Sequence, residues 1–203
     1  MGEDTTTVGT YSLVELEDVK YELDIEGKDV DTDRHLISII DGISAWFELL
    51  TGENFITRTH TDEYQDGDGE TYLYLDNEPI TSITSIYDDV YREFGSDTLI
   101  SGTDYYISKE QDRVVLYPKS TWGRFRRGEE SVKATYVAGY SRASLPPALH
   151  RATIKQVVAE YKMSGDPHIV SKSLEDGSIE RFQTELLPYA KSVLARYTKV
   201  IVF

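Results

Sequence analysis

The chain has 203 residues, 39% hydrophobic and 28% charged, with 21 Lys and Arg against 36 Asp and Glu and a net charge of −15. That length buries a core without a metal or disulfide staple, and zero cysteines exclude disulfides, thiolate ligands and a cysteine nucleophile together. So acidic a chain is a poor match to a broad nucleic-acid face, because phosphate binders concentrate positive charge. No apolar run approaches the ~18 residues of a membrane span, and the acidic start Met1–Asp4 reads as lacking a secretory signal, which fits a reducing compartment.

The first helix is predicted over 12–26. Ser12 and Glu15 have capping-box spacing, Leu13, Leu16, Val19 (or Lys20) and Leu23 recur at helical intervals, and Gly27 ends the run. After an acidic loop, a second helix is predicted from about Asp33 to Leu50. Leu36, Ile40, Ile43, Phe47 and Leu50 form its stripe, widened by Ile37, Ile39, Trp46 and Leu49, and Thr51-Gly52 stops it. A stripe this wide implies burial on more than one side, in a core or between subunits.

From Asn54 to Tyr140 the period changes to two. Asp66-Gly67-Asp68-Gly69 predicts a hairpin turn between 55–64 and 71–75, with Tyr72/Tyr74 and Leu73/Leu75 on opposite faces. Further strands are expected over 80–87, 105–108 and 113–117, and at Val132, Ala134, Tyr136 and Ala138, which alternate with polar partners around one buried face. The irregular stretch 118–130 carries Trp122, Arg124, Phe125, Arg126 and Arg127. Pro146-Pro147 opens a third helix with Ile154, Val157, Val158 and Tyr161 along its stripe. Residues 168–182 have no period and read as a loop or arm. A last helix is expected over 184–197, and Val200-Ile201-Val202-Phe203 is apolar and β-prone. The pattern is α+β: a helical bundle from the N- and C-terminal parts with an inserted antiparallel β-rich segment. Its divisions are a helical pair at 12–53, the insertion at 54–140, a core helix at 146–167, and an arm, helix and docking tail at 168–203.

Candidate chemistry is sparse. Asp62, Glu63, Asp66, Asp68 and Glu70 invite a calcium reading, but with Asp66 as first ligand the invariant glycine position holds Thr71 and the twelfth holds Asn77, so the EF-hand pattern fails. A hairpin tip shaped by Asp and Gly is the stronger reading. His35, His60, His150 and His168 lack metal-ligand spacing, and no nucleophile elbow, P-loop or dinucleotide fingerprint occurs. No catalytic, cofactor or metal site is expected. Two other features stand out. Trp122, Arg124, Arg126 and Arg127 form a basic, aromatic-interleaved patch suited to an acidic neighbouring surface. The apolar Val200–Phe203 segment, with Tyr197 before it, needs either its own sheet or a partner's edge.

The order of elements resembles the head–tail connector (adaptor, or neck) proteins of long-tailed bacteriophages. The likeness is carried by YSLVELEDVKYELDI, by DTDRHLISIIDGISAWFELLTGENF, by DGDGETYLYLDNEPITSITSIYDD, by VKATYVAGY with LPPALHRATIKQVVAEYK, and by SKSLEDGSIERF with LLPYAKSVLARY, over roughly residues 11–198. The insertion is long for the family, and TKVIVF is not a shared motif. The resemblance implies a non-enzymatic virion part without cofactor or membrane, assembled in the host cytoplasm. It implies a ring, usually twelvefold, that joins the portal protein to the next neck or tail protein and extends the DNA channel without binding DNA specifically. On this view Tyr197, Val200, Ile201, Val202 and Phe203 dock on the portal or a neighbouring subunit, and Trp46, Phe47, Trp122, Arg124, Arg126 and Arg127 lie at subunit interfaces. A stopper or tail-completion protein of the same neck is the nearest alternative. A calcium-binding or carboxylate-dependent enzyme is the alternative of another class.

Overall fold

The computed structural model describes residues 7–164, 171–173, 179–181 and 185–198. The elements run α1 (Leu16–Glu22), α2 (Val30–Thr51), β1 (Arg58–Gly67), β2 (Tyr72–Tyr74), β3 (Ile80–Asp88), β4 (Tyr105–Ser108), β5 (Arg113–Leu116), β6 (Gly128–Ala138), α3 (Pro147–Ser164), β7 (Ser171–Ser173), β8 (Ile179–Arg181) and α4 (Pro188–Leu194). Two compact units result. One joins Met1–Glu53 to Arg142–Phe203, and the other is Asn54–Ser141. The α+β class expected from the change of period is the class observed.

In the helical unit, α2 buries Leu36, Ile39, Ile40, Ile43 and Phe47, while α3 contributes Leu149, Ala152 and Val157 and α4 contributes Ala190, Val193 and Leu194. Gly52 caps α2 in the left-handed conformation, as its position after Thr51 predicts. The helix begins at Val30, earlier than expected, because the Asp29 carbonyl already accepts the Asp33 N–H (2.8 Å) and Thr32 donates to the Asp29 carboxylate. The Ser12 cap is corrected. Glu15 caps α1, its partner in the capping box is Asp18, and the helix covers only 16–22. Ser12 is instead drawn to tertiary partners. Its hydroxyl donates to Asp41, its carbonyl accepts from Arg142 Nε (2.8 Å), and the Leu13 N–H donates to Ser44 Oγ (3.0 Å).

The buried residue that apolar periodicity accommodates least well is Lys20. Its ammonium lies 2.9 Å from Asp33 and donates to the Gly27 carbonyl (2.6 Å), with both charged side chains almost wholly out of water. A buried pair need not exceed a hydrophobic replacement in stability, but each partner makes the other tolerable. Gln156 plays the neutral counterpart. Its amide accepts the Leu187 N–H (2.9 Å) and donates to the Glu185 carbonyl (3.3 Å), fixing the entry to α4 on α3. The stretch 168–182, expected as a loop or arm without a period, contains the short antiparallel pair β7–β8, each strand too short to show one.

The β-rich unit holds two three-stranded antiparallel sheets, ordered β1–β6–β3 and β2–β5–β4. The expected hairpin through Asp66–Gly69 is therefore corrected: β1 pairs with β6 and β2 with β5, so the chain changes sheets there. The expected turn between β4 and β5 does form a hairpin. Val132, Ala134, Tyr136 and Ala138 of β6 and Ile80 and Ile86 of β3 face a core shared with Leu73, Leu75, Ile100, Val114, Leu116 and Phe125 from the second sheet and the connections. Gly139, at φ +106°, ends β6 where a Cβ would stand 2.8 Å from the backbone of Ile56 and Thr57, so glycine alone fits.

Removing one partner of the buried pair should be costly. Asp33→Ala, which leaves Lys20 charged and buried, is expected to lose about 3–5 kcal/mol in urea unfolding, whereas the double variant Lys20→Met with Asp33→Leu recovers most of it. Equal losses for the single and double variants would contradict this account.

Candidate interaction surfaces

The basic loop is built on one apolar anchor. Phe125, wholly buried in the β core, donates its N–H to the Glu70 carbonyl (2.9 Å). This turns the flanking side chains outward: Arg126 stacks 5.2 Å over the half-buried Trp122, Arg124 lies 3.6 Å from Glu70 and donates to the Gly69 carbonyl (3.1 Å), and Arg127 Nε donates to the Asp68 carbonyl (2.9 Å). Of these arginines, Arg124 meets an acid of its own chain, Glu70. The Asp66–Glu70 connection and the 122–127 loop form one assembly, closed by Gly67, where a Cβ would lie 1.7 Å from the Arg126 carbonyl oxygen.

The carboxylates of that connection serve the backbone. Asp66 accepts the Glu130 N–H (2.7 Å) and Asp68 accepts the Glu70 N–H (2.8 Å). Glu63 accepts from the Tyr136 hydroxyl (2.6 Å), the Asp76 N–H (3.0 Å) and Gln65 (3.1 Å). Burial, reinforced by the Glu63 bond, pushes the Tyr136 phenol far above its ordinary pKa, so it stays a donor. Among the described residues, no group of three or more His, Asp or Glu is arranged to hold a metal ion. An open cleft of about 390 Å³ lies beside the connection, lined by Tyr64, Asp66, Asp68, Tyr72, Tyr74 and Glu130 among others.

Two adjacent aspartates at the end of β3 titrate in opposite senses. Asp88 is fully buried. Its Oδ2 accepts the Arg126 N–H (3.0 Å), its Oδ1 has no partner, and desolvation raises its pKa. Asp89 accepts backbone N–H groups from Tyr91 (2.9 Å), Glu93 (3.0 Å) and Phe94 (2.9 Å), the first of these being foremost in holding its carboxyl below the usual range. One aspartate supports the basic loop from beneath, and the other folds the 89–94 turn. Neither signal was visible in the sequence beyond the Asp-Asp doublet.

The expected interface residues of α2 separate. Phe47, one of the residues expected at a subunit interface, is 0% exposed in the single chain. Trp46 is half-buried beside it, and Leu49, 81% exposed, and Leu50 carry the apolar surface outward. A side chain on the opposite edge of so wide a stripe is indistinguishable in periodicity from one in its centre. Tyr197 is partly buried just beyond α4, and Val200, Ile201, Val202 and Phe203 lie outside the described residues, as does His168.

No protein-family model matches the chain, and no curated protein matches it. Solved structures do. The chain is similar to one in the neck of an empty gene transfer agent (GTA) particle computed with C6 symmetry, with TM-score 0.60 and 15% identity over 97% of this chain and 96% of that one. The likeness is one of fold, along nearly the whole length. A chain in the neck of a native GTA particle computed with C12 symmetry matches at TM-score 0.53 and 16% identity, over 97% and 96% of the two chains. A chain in the virion of a native gene transfer agent particle matches at 0.53 and 14%, over 94% and 92%.

Two substitutions test the loop's support. Gly67→Ala is expected to cost at least about 2 kcal/mol, since the added methyl overlaps a carbonyl that cannot move without breaking the loop; unchanged unfolding would contradict it. For Asp88, a raised folded-state pKa means that ionisation opposes folding. No penalty exists below the unfolded value of about 3.9, and it grows as pH rises through the window up to the folded pKa. Asp88→Asn, which keeps an acceptor for the Arg126 N–H, should therefore gain thermal stability relative to the parent at neutral pH and lose that advantage at the acid end of the window. A pH-independent difference would contradict the assignment.

Proposed function

We propose that the chain is a structural, non-enzymatic neck component of a phage-like particle, forming a ring between the portal and the tail. The observation that carries this reading is the fold likeness over 97% of the chain to a protein in a particle neck. Its support is independent of the ordered sequence segments that resemble head–tail connectors. The symmetries of the matched necks, C6 and C12, are those of rings, and a twelvefold ring is the form we assign here. A closed ring needs a head-to-tail interface between two different, complementary faces of each subunit.

In that setting the charge of −15 has a use. A ring of such subunits repels phosphate, so DNA passes through the channel without being retained. Trp46, with the outward Leu49 and Leu50, and the loop of Trp122, Arg124, Arg126 and Arg127 are surfaces available to neighbours. The apolar Tyr197 and Val200–Phe203 segment docks on the portal or on an adjacent subunit. Burial of each large side chain there returns roughly 1.5–3 kcal/mol before the entropy of ordering is subtracted.

Deletion of residues 199–203 tests the docking. The full chain should co-sediment with portal-bearing heads, and the truncated chain should fail to do so at an unchanged melting temperature. A destabilised chain that still binds the heads would assign the segment to its own fold instead.

A further inference from the structure

The β2–β5–β4 sheet has an outer face that the core does not use. Alternation sends Leu73, Val114 and Ile107 inward, and the register sets Tyr72, Val115 and Tyr106 in one row across the other face and Tyr74, Arg113 and Ser108 in the next. Tyr117 continues the outward alternation of β5. Tyr74 is 51% exposed and Tyr106 42% exposed. The rings associate in pairs, Tyr72 with Tyr74 at 5.6 Å and Tyr106 with Tyr117 at 5.0 Å.

Two cations are laid on these rings. The Arg113 guanidinium is 4.2 Å above Tyr72 and 5.8 Å from Tyr74, and Lys119 Nζ is 5.6 Å from Tyr117. Arg113 has five N–H donors. Among the described residues it finds one acceptor, the Tyr74 hydroxyl at 3.3 Å, its Nε is buried without a partner, and no carboxylate lies within ion-pair distance. Acid is in excess in this chain, 36 Asp and Glu against 21 Lys and Arg, and Asp66, Asp68 and Glu130 line the cleft beside Tyr72 and Tyr74 without pairing with Arg113. Stacking keeps the guanidinium plane fixed and poorly hydrated, a state that gains most from a carboxylate arriving from outside.

We propose that this tyrosine–arginine face is a contact between copies of the chain, receiving carboxylates from the acidic surface of a neighbouring copy. The inference rests on the ring reading and names one of the two unlike faces that such a ring requires. Charge complementarity selects the occupant: a subunit at −15 has carboxylates in excess to offer, and tyrosine and arginine are the residues on which interface energy concentrates. A nucleic-acid strand fits less well, since two cations in so acidic a chain do not make a phosphate track.

The test places the photo-crosslinker p-benzoylphenylalanine at Tyr106 in the full chain, with negative-stain imaging of the same samples. Illumination should join copy to copy, with the cross-link in an Asp/Glu-rich segment, and Arg113→Glu should reduce the yield about tenfold or more. Arg113→Gln, a milder change, and raised salt should reduce it in the same direction. Cross-links to nucleic acid, to another protein or to nothing would overturn the proposal, as would a yield indifferent to all three changes. Rings without the cross-link would overturn this face alone, whereas the cross-link without rings would keep the face and overturn the ring.

Discussion

A surplus of negative charge is the constraint to which much of this structure answers, because 36 carboxylates outnumber 21 Lys and Arg and every carboxylate needs a donor or water. The chain meets that constraint by pairing locally. Lys20 is buried against Asp33, Arg142 joins Glu15 and the carbonyls of Gly9 and Ser12, Lys133 reaches Asp62, and Arg92 reaches Glu130. The exposed pairs contribute little individually. Their effect is positional: Arg142 carries the segment before α1 onto the helical unit, and Lys133 lies 4.9 Å from both the Tyr87 and Phe94 rings, over the outer side of β6.

Within the β-rich unit, β6 is the strand that both neighbours need. It pairs β1 on one side and β3 on the other, and its inward residues alternate a phenol with small side chains so that Phe125 and the second sheet can approach. The pairing with β1 bends at Asp62, which adopts a positive φ of 53° at the register shift after His60. This bend returns Glu63 toward the Tyr136 hydroxyl, and the strand then ends at Gly67 under the Arg126 carbonyl. The basic loop thus owes its position to a strand register and a missing side chain. Its own composition decides only what it shows to the outside.

The sequence was legible where one face of an element is buried and its ends carry their own signals. That holds for α2, α3 and the inner face of β6, and for Leu73 and Leu75, which are buried opposite Tyr72 and Tyr74 as alternation requires. It failed where a distant partner overrides a local one. The Ser12–Glu15 spacing is that of a capping box, yet Asp41 and Arg142, distant in sequence, claim Ser12 first. The Asp-Gly-Asp-Gly stretch has hairpin composition, yet its glycines serve close approach to the arginine loop, and the strands on either side enter different sheets. Phe47 and Trp46 are equivalent to a helical period, and only packing separates the buried ring from the outer one. Arg113 gave no motif at all. Its meaning depends on Tyr74 standing opposite it in the register, on Tyr72 lying diagonally beneath its guanidinium and on no carboxylate pairing with it, none of which a linear reading supplies.

These particulars agree with a subunit whose energetics are settled internally and whose remaining apolar and aromatic surfaces face other molecules. Leu49 and Leu50 at the end of α2, the tyrosine face of β2–β5–β4, and the arginine loop are unlike one another in chemistry, as a head-to-tail contact demands. The mass and symmetry of the assembled object test the neck-ring account most directly. Native mass spectrometry of the neck released from intact particles, with class averages of the same material, should show a closed ring built of many copies of this chain with sixfold or twelvefold symmetry. Particles whose necks lack the chain, or contain it only as single copies, would contradict the account.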